Sequence, residues 1–426
     1  IKPSSPTILI GLGGAGSKIV KRIYKQVVDQ YGGESNVSNV ACLCIDTDRA
    51  EVRDVSGRQK GFLIAGFNKN EFANLKRGTG LKTIIEDKTF TQWAHPWYQF
   101  RNTGGVGAGQ IRLVSRLAIY YYLNAGQAEK NLRNFLLKPI MELLDSKNNL
   151  ADSELKVMNI IICGSVAGGT GSGSCIPVGF LVKNLVKEQG WSANVNAYLS
   201  LPTMFEKNIT NLNQFTDICA NGYAALREIE ELMKAKTFTD DSTSKNLRFY
   251  FDPEQKSLEV DESPFDFVYL IDKSPEVTLD LNWQNYVADT IFLQHFAAKM
   301  YEVQQSDYDN YEKNQKQLSR DMYSLFYGSF GASAMVIPEE ALVKGCTYYA
   351  RKIVFTDLLG VEKIDVDIDG LSEGERFDKV ENEWLKNVFE KVTQAKRDEK
   401  NYGNKKLDQK QKRVMKIFRN IGVQPD

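Results

Sequence analysis

One stretch, Ala167-Gly168-Gly169-Thr170-Gly171-Ser172-Gly173, constrains this chain more than any other. Four glycines are interleaved with hydroxyl residues between an apolar run, Leu155 to Cys163, and a helical pattern, Cys175 to Val186. Every glycine adds to the entropy lost on folding, so a run of this kind needs a ligand or a special backbone shape to justify it. Its backbone amides, with the hydroxyls of Thr170 and Ser172, make a donor-rich cradle for phosphate oxygens.

Two further segments repeat the arrangement. Thr7-Ile8-Leu9-Ile10 is a short apolar run that stops at Gly11-Leu12-Gly13-Gly14-Ala15-Gly16, and helical spacing through Ile19, Val20, Ile23 and Val27 follows from Ser17. The spacing G-x-G-x-x-G between strand and helix fits a dinucleotide fold as well as a phosphate loop, and also fits a tight turn that packs helix on strand. Gly104-Gly105-Val106-Gly107-Ala108-Gly109-Gln110 again precedes a helical region. Three such loops exceed what one pyrophosphate needs and point to an enclosed triphosphate.

Strands and helices alternate along the chain. The pattern predicts a strand at Val40 to Ile45 ending in Asp46-Thr47-Asp48, helical sequence from Gln110 through Leu144, and a strand at Val195 to Leu201. A helix near Asn211 to Met233, a strand at Phe267 to Ile271 and a helix from Trp283 to about Tyr301 follow, with a polar insertion between Met233 and Phe267 that suits a hairpin. This order predicts an α/β fold with a mostly parallel sheet covered on both faces and a ligand at the carboxyl ends of its strands. Beyond Tyr301 a strand at Gly328 to Ile337, a helix at Glu339 to Leu358 and a strand at Lys363 to Ile368 suggest a smaller α+β domain. The expected division is therefore a nucleotide-binding domain over 1–281, a central helix over 282–305 and a second domain over 306–426. Its basic segment, Lys391 to Arg419, reads either as a solvated or mobile tail or as a docking site for an acidic protein.

Composition bounds the partners. Lys plus Arg and Asp plus Glu both number 54, so net charge argues neither for nucleic acid nor for an acidic surface. No apolar stretch approaches the length of a transmembrane helix, and the first residues lack the order of a signal peptide; a soluble cytoplasmic protein is expected, as part of a longer chain. The six cysteines are scattered, and with only His95 and His295 a zinc site is not expected.

The glycine run resembles the tubulin and FtsZ signature G-G-G-T-G-[ST]-G, with Ala167 at its first position, and the closest likeness is to divergent bacterial tubulin-like proteins. Gly13-Gly14-Ala15-Gly16 is similar to the opening loop of FtsZ, and Asp46-Thr47-Asp48 to its N-T-D segment with Asp46 in place of Asn. Gly107-Ala108-Gly109 matches the loop that senses the terminal phosphate, and Pro202-Thr203-Met204-Phe205-Glu206 resembles P-F-x-F-E, whose acid contacts ribose. The resemblance implies a tubulin/FtsZ-type Rossmann-like domain that binds GTP or GDP with Mg²⁺ and assembles head-to-tail with itself. Phosphates would rest on Gly13 to Gly16, Gly107 to Gly109 and Gly168, Gly169, Thr170, Gly171, Ser172 and Gly173, with Asp46, Thr47 and Asp48 beside them and Glu206 toward the ribose. Asp272, Tyr286 and Asp289 are the candidates for the base, although Tyr286 and Asp289 equally suit ordinary helix positions.

This chain departs from the pattern at the catalytic loop that follows the central helix. There, N-x-D-x-x-D is not recognisable, and Asp307 and Asp309 are the nearby acid pair. Two readings follow: a GTPase whose site is completed by a neighbouring subunit, or a nucleotide-binding scaffold with little hydrolysis. A nicotinamide-dependent oxidoreductase rests on Gly11 to Gly16 alone.

Overall fold

The computed structural model describes residues 6–53, 59–64, 107–123, 131–147, 156–209, 211–234, 263–274, 282–297, 327–330 and 342–349, with the single positions Lys379, Lys386 and Glu390. The chain divides into two units, Ile1–Ser333 and Ala334–Asp426. In the second unit residues 342–349 are helical, with Leu342, Val343 and Tyr349 exposed.

The first unit is built on seven parallel strands: β1 (Thr7–Leu12), β2 (Val40–Asp46), β3 (Gln59–Leu63), β4 (Val157–Ser165), β5 (Ser192–Ser200), β6 (Phe267–Ile271) and β7 (Tyr327–Gly328). Their order across the sheet is β3-β2-β1-β4-β5-β6-β7. The helices are α1 (Gly13–Gln30), α2 (Arg49–Arg53), α3 (Arg112–Leu123), α4 (Leu132–Lys147), α5 (Gly169–Glu188), α6 (Leu212–Lys234) and α7 (Trp283–Phe296). A 3-10 turn at Pro202–Asn208 joins β5 to α6.

The strands sort their side chains by the two-residue period of an extended chain. On β1, Ile8, Ile10 and Leu12 enter a core shared with α3, α4, α5 and α6, while Leu9 enters the opposite core beneath α1 and α7. Burial on both faces explains why β1 and β4 read as nearly continuous apolar runs rather than alternating ones, with Asn159 the polar interruption in β4. His295 holds α7 to this second core: its Nε2 lies 2.7 Å from the hydroxyl of Tyr198 on β5, which also donates to Gln294 at 3.1 Å.

Several elements differ from the sequence reading. The helical region Gln110 to Leu144 holds two helices, α3 and α4, and a two-residue strand, Tyr327–Gly328, pairs with β6 where a strand over Gly328 to Ile337 is expected, of which residues 331–337 lie outside the described residues. More consequential, α1 and α5 begin inside the glycine runs instead of after them. Helix propensity opposes this, since glycine is among the poorest helix formers. Packing reverses the preference: a Cβ at Gly16 would stand 2.1 Å from the carbonyl oxygen of Cys163, and one at Gly171 would stand 2.6 Å from that of Ser165. A Cβ at Gly173 would meet Ser115 Oγ at 2.1 Å and Arg112 O at 2.2 Å. Bare backbone lets α1 and α5 lie against β4, and α5 against α3, from their first turn.

This packing makes Gly16 intolerant of a side chain on structural grounds alone. Gly16→Ala is expected to lower stability by about 3 kcal/mol or more, at or above the upper end of overpacking costs because the clash is with backbone. Gly190→Ala, in open space but at φ +73°, serves as the comparison that carries only backbone strain. Urea unfolding of both variants reads the difference.

Candidate functional site

The sheet reverses its direction of growth between β1 and β4, and this switch point opens a crevice at the carboxyl ends of neighbouring strands, where ligands of α/β sheets bind. Both helices that start there, α1 and α5, lack a side-chain cap at their N-termini. Their first-turn amides have no intrahelical partner and carry the positive end of the helix dipole. A cavity of about 290 Å³ lies between them, lined by Gly13, Gly14 and Ala15 of α1, by Gly168 to Gly171 at the start of α5, and by Ala108 and Gln110. Phe205, Ile209 and Ile218 close its apolar side. The structure thus brings together the three glycine segments that lie far apart in sequence.

One buried network ties them. Thr47 Oγ1 and Thr170 Oγ1 are 2.6 Å apart, and Thr170 donates to Asp46 Oδ1 at 3.2 Å. The amide of Asp48 donates to the same oxygen at 3.1 Å, and the amide of Gly107 donates to Thr47 O at 3.2 Å. The end of β2 therefore anchors both α5 and the loop before α3. Asp46 is only 3% exposed, and among the described residues its Oδ2 has no hydrogen-bond partner. Burial pushes its carboxyl up to about 6, and the hydrogen bonds from Asp48, Thr170 and Thr47 oppose that shift only in part.

The hydroxyls read from sequence as phosphate donors are engaged inside the protein. Thr170 is held in this network, and Ser172 Oγ turns back to Gly168 O within its own helix. What remains for a ligand is backbone. The glycines divide in the same way: Gly11, Gly16, Gly169, Gly171 and Gly173 are pressed against protein, whereas a Cβ at Gly168, Gly107 or Gly109 would meet nothing within 4 Å among the described residues. Gly13, at φ +72°, supplies the left-handed turn from β1 into α1.

The other candidates lie apart from the cavity lining. Glu206 pairs with Lys273 Nζ, and Asp272 accepts from Thr203 Oγ1 and from the Lys273 amide. Asp289 is gripped by Arg22 at 2.6 and 3.0 Å and by Gln26 at 2.7 Å, a clamp between α1 and α7. Tyr286 on α7 is 38% exposed. Asp307, Asp309 and the segment Gly104 to Val106 lie outside the described residues. Glu51, whose carboxylate stands beside Gly14, and Phe205 were not singled out from sequence. Phe205 had a signal, its place next to Glu206 in the quoted segment, and Glu51 had none.

A parallel sheet with helices on both faces and uncapped helix starts at its switch point defines a doubly wound α/β protein. A family model described as tubulin like matches residues 8–354, and the chain belongs to that family. Among solved structures it is similar to FtsZ from M. jannaschii, with 15% identity, TM-score 0.33, and 68% of this chain and 53% of that one covered. It is also similar to CetZ2 from Haloferax volcanii, solved as a GTPgS-bound protofilament, with 14% identity, TM-score 0.31, and 69% and 59% covered. For TubZ from Bacillus thuringiensis serovar israelensis, in a GTPyS-form protofilament, the values are 16%, 0.33, and 71% and 57%. The chain thus spans little more than half the length of these relatives. No curated protein matches the sequence. Among the described residues no helix is long and apolar enough to cross a membrane, and no group of three or more side chains is placed to hold a metal ion.

The Asp46 environment sets a pH signature. Its folded value of about 6 exceeds the unfolded value of 3.8, so burial of the ionised carboxyl opposes folding in full above pH 6. That opposition fades as pH falls through 6 toward 3.8, because the folded form binds the proton first. The stability of Asp46→Asn relative to the natural chain is therefore expected to rise by about 2 kcal/mol between pH 4 and pH 7.5, measured by chemical unfolding at both values.

Proposed function

We propose that the cavity binds the triphosphate of a guanine nucleotide and that the nucleotide-loaded chain assembles head-to-tail with itself. The observation that carries this reading is the convergence of two uncapped helix N-termini and the 107–110 loop on one cavity at the switch point of the sheet. Amides at helix starts favour phosphate oxygens through hydrogen bonds and the helix dipole together. Membership of the tubulin-like family supports guanine as the base and self-assembly as the outcome. In this reading the inner phosphates rest on Gly13 to Ala15 and Gly168 to Gly171, and the terminal phosphate on Ala108 and Gln110. Glu206 lies toward the ribose, and the exposed ring of Tyr286 lies toward the base, with Asp289 positioning α7. Magnesium, bound with the triphosphate, would neutralise phosphate charge.

The nicotinamide alternative fits less well. Dinucleotide folds use an acid near the end of the second strand to bind a ribose hydroxyl. Asp46 holds that place but is buried and faces Thr170 and the Asp48 amide.

Gly168 gives a clean test, because it lines the cavity and an added methyl meets no protein atom. Gly168→Ala is expected to fold as the natural chain does and to lose GTP affinity about tenfold or more, equivalent to about 1.4 kcal/mol. Calorimetric titration giving unchanged affinity would remove the α5 start from the site.

No acid lines the cavity among the described residues, so the protein groups there stabilise phosphate charge without orienting an attacking water. Hydrolysis then requires a group from outside the cavity, and Asp307 and Asp309 of a neighbouring subunit are the proposed source. Phosphate release per subunit is expected to rise with protein concentration across a hundredfold range and to fall in the double variant Asp307→Asn, Asp309→Asn while GTP binding persists. GTP-dependent light scattering without phosphate release would instead establish the scaffold reading.

A further inference from the structure

The loop that faces the proposed terminal phosphate is held by a residue outside every motif. Gly107, Gly109 and Gln110 all have left-handed backbone, at φ +96°, +57° and +63°. For Gln110, which carries a side chain, that conformation is unfavourable and persists only where surrounding contacts impose it. Near the loop tip a Cβ at Gly107 or Gly109 would meet nothing within 4 Å among the described residues. Among the described residues two hydrogen bonds tie the loop to other elements, beside the packing of Ala108 and Gln110 against Gly169 of α5. The Gly107 amide bonds Thr47 O at 3.2 Å, and Asn221 of α6 donates through Nδ2 to Gln110 O at 2.6 Å.

The same Nδ2 donates to Ala167 O at 3.1 Å. An amide nitrogen has two hydrogens, so one side chain serves both carbonyls, and two carbonyl acceptors dictate which way the amide faces. The Ala167 side of this bridge is fixed independently, by Ser165 Oγ accepting from the Ala167 amide at 3.0 Å and by the Val166 amide bonded to Ser200 O at 3.1 Å. The 107–110 loop is the side that Asn221 holds. Helix α6 is itself locked: Glu228, on the same face two turns later, takes Arg112 at 2.8 Å and Arg116 at 3.2 Å, and Gly222 packs against Pro202.

We infer that Asn221 is a positioning residue that fixes the 107–110 loop against the start of α5 and thereby sets the preference for a nucleoside triphosphate over a diphosphate. The inference rests on the phosphate-site reading above and goes beyond it by assigning the selectivity to α6. Without the amide, Gln110 O loses its partner and the hydrogen bond that opposes relaxation of the left-handed backbone at that residue is gone, so the Gln110 end of the loop shifts from the terminal phosphate while Gly107 stays tied to Thr47. The inner phosphates, held by the first turns of α1 and α5, keep their contacts.

The test compares Asn221→Ala and Asn221→Asp with Tyr223→Ala, a control on the same helix at a residue that is 70% exposed. Asp preserves the volume of Asn but presents only acceptors to the two carbonyls, so it keeps the test available where the Ala variant does not fold. Titration with GTP and with GDP is expected to show GTP affinity falling about tenfold or more in both Asn221 variants, about 1.4 kcal/mol, with GDP affinity within about twofold. Hydrogen exchange without nucleotide is expected to quicken at 108–111 and to stay unchanged at 166–168. Equal losses for GTP and GDP, or an unchanged ratio, would overturn the assignment, as would unaltered exchange at 108–111. If the natural chain binds neither nucleotide, the phosphate-site reading falls and the selectivity with it, whereas quickened exchange beside an unchanged ratio removes the selectivity alone.

Discussion

Two close approaches of helix to strand carry the architecture. At Gly16 and Gly171 the backbone of a helix start lies so near β4 that a single methyl group would collide with the Ser165 or Cys163 carbonyl. Were α1 and α5 displaced outward by the width of a side chain, their first-turn amides would no longer converge on one cavity. The glycines of these phosphate-loop patterns therefore act mainly on the protein, and the cavity is a consequence of how closely the helices sit. Glycine at these positions removes propensity from the helix and returns packing, an exchange that favours the folded state only in tertiary context.

The electrostatics of the site follow from that geometry. No charged side chain lines the cavity among the described residues, so attraction for an anion comes from oriented amides and helix dipoles. Such groups are held in place before any ligand arrives and need little reorganisation to meet one. Near them lies Asp46, a buried carboxyl with one oxygen lacking a hydrogen-bond partner among the described residues and its charge disfavoured by burial. Its other oxygen gathers Thr170 and the Asp48 amide, and Thr47 links the group to Gly107, so the acid organises the loops instead of contacting solvent.

Helix α6 extends the same logic outward. Asn221 and Glu228 share one face, and each bridges elements that the sheet alone would leave independent: the first joins two loops, the second joins α3 to α6 through Arg112 and Arg116. The clamp of Asp289 on Arg22 and Gln26 does the equivalent for α7 and α1. Polar side chains on helices thus set the relative placement of elements whose internal structure is decided by apolar periodicity.

The sequence by itself determined the alternation of strands and helices, the parallel sheet buried on both faces and the three glycine segments at strand ends. These are local properties: Phe267 to Ile271 reads as a strand from its own residues, and the structure gives β6 the same bounds. Short edge strands were less legible, because Gln59–Leu63 is partly exposed and half polar and so lacks a periodic signal. Only the tertiary structure decided that the helices begin inside the glycine runs, that Thr170 and Ser172 face protein, that Asp289 belongs to Arg22 and that Asn221 spans two loops. Each of those outcomes depends on which backbone lies opposite a residue after the sheet is assembled. Spacing along the chain encodes a face, but the occupant of the facing surface, 267 residues away for Arg22 and Asp289, is set by strand order and helix packing.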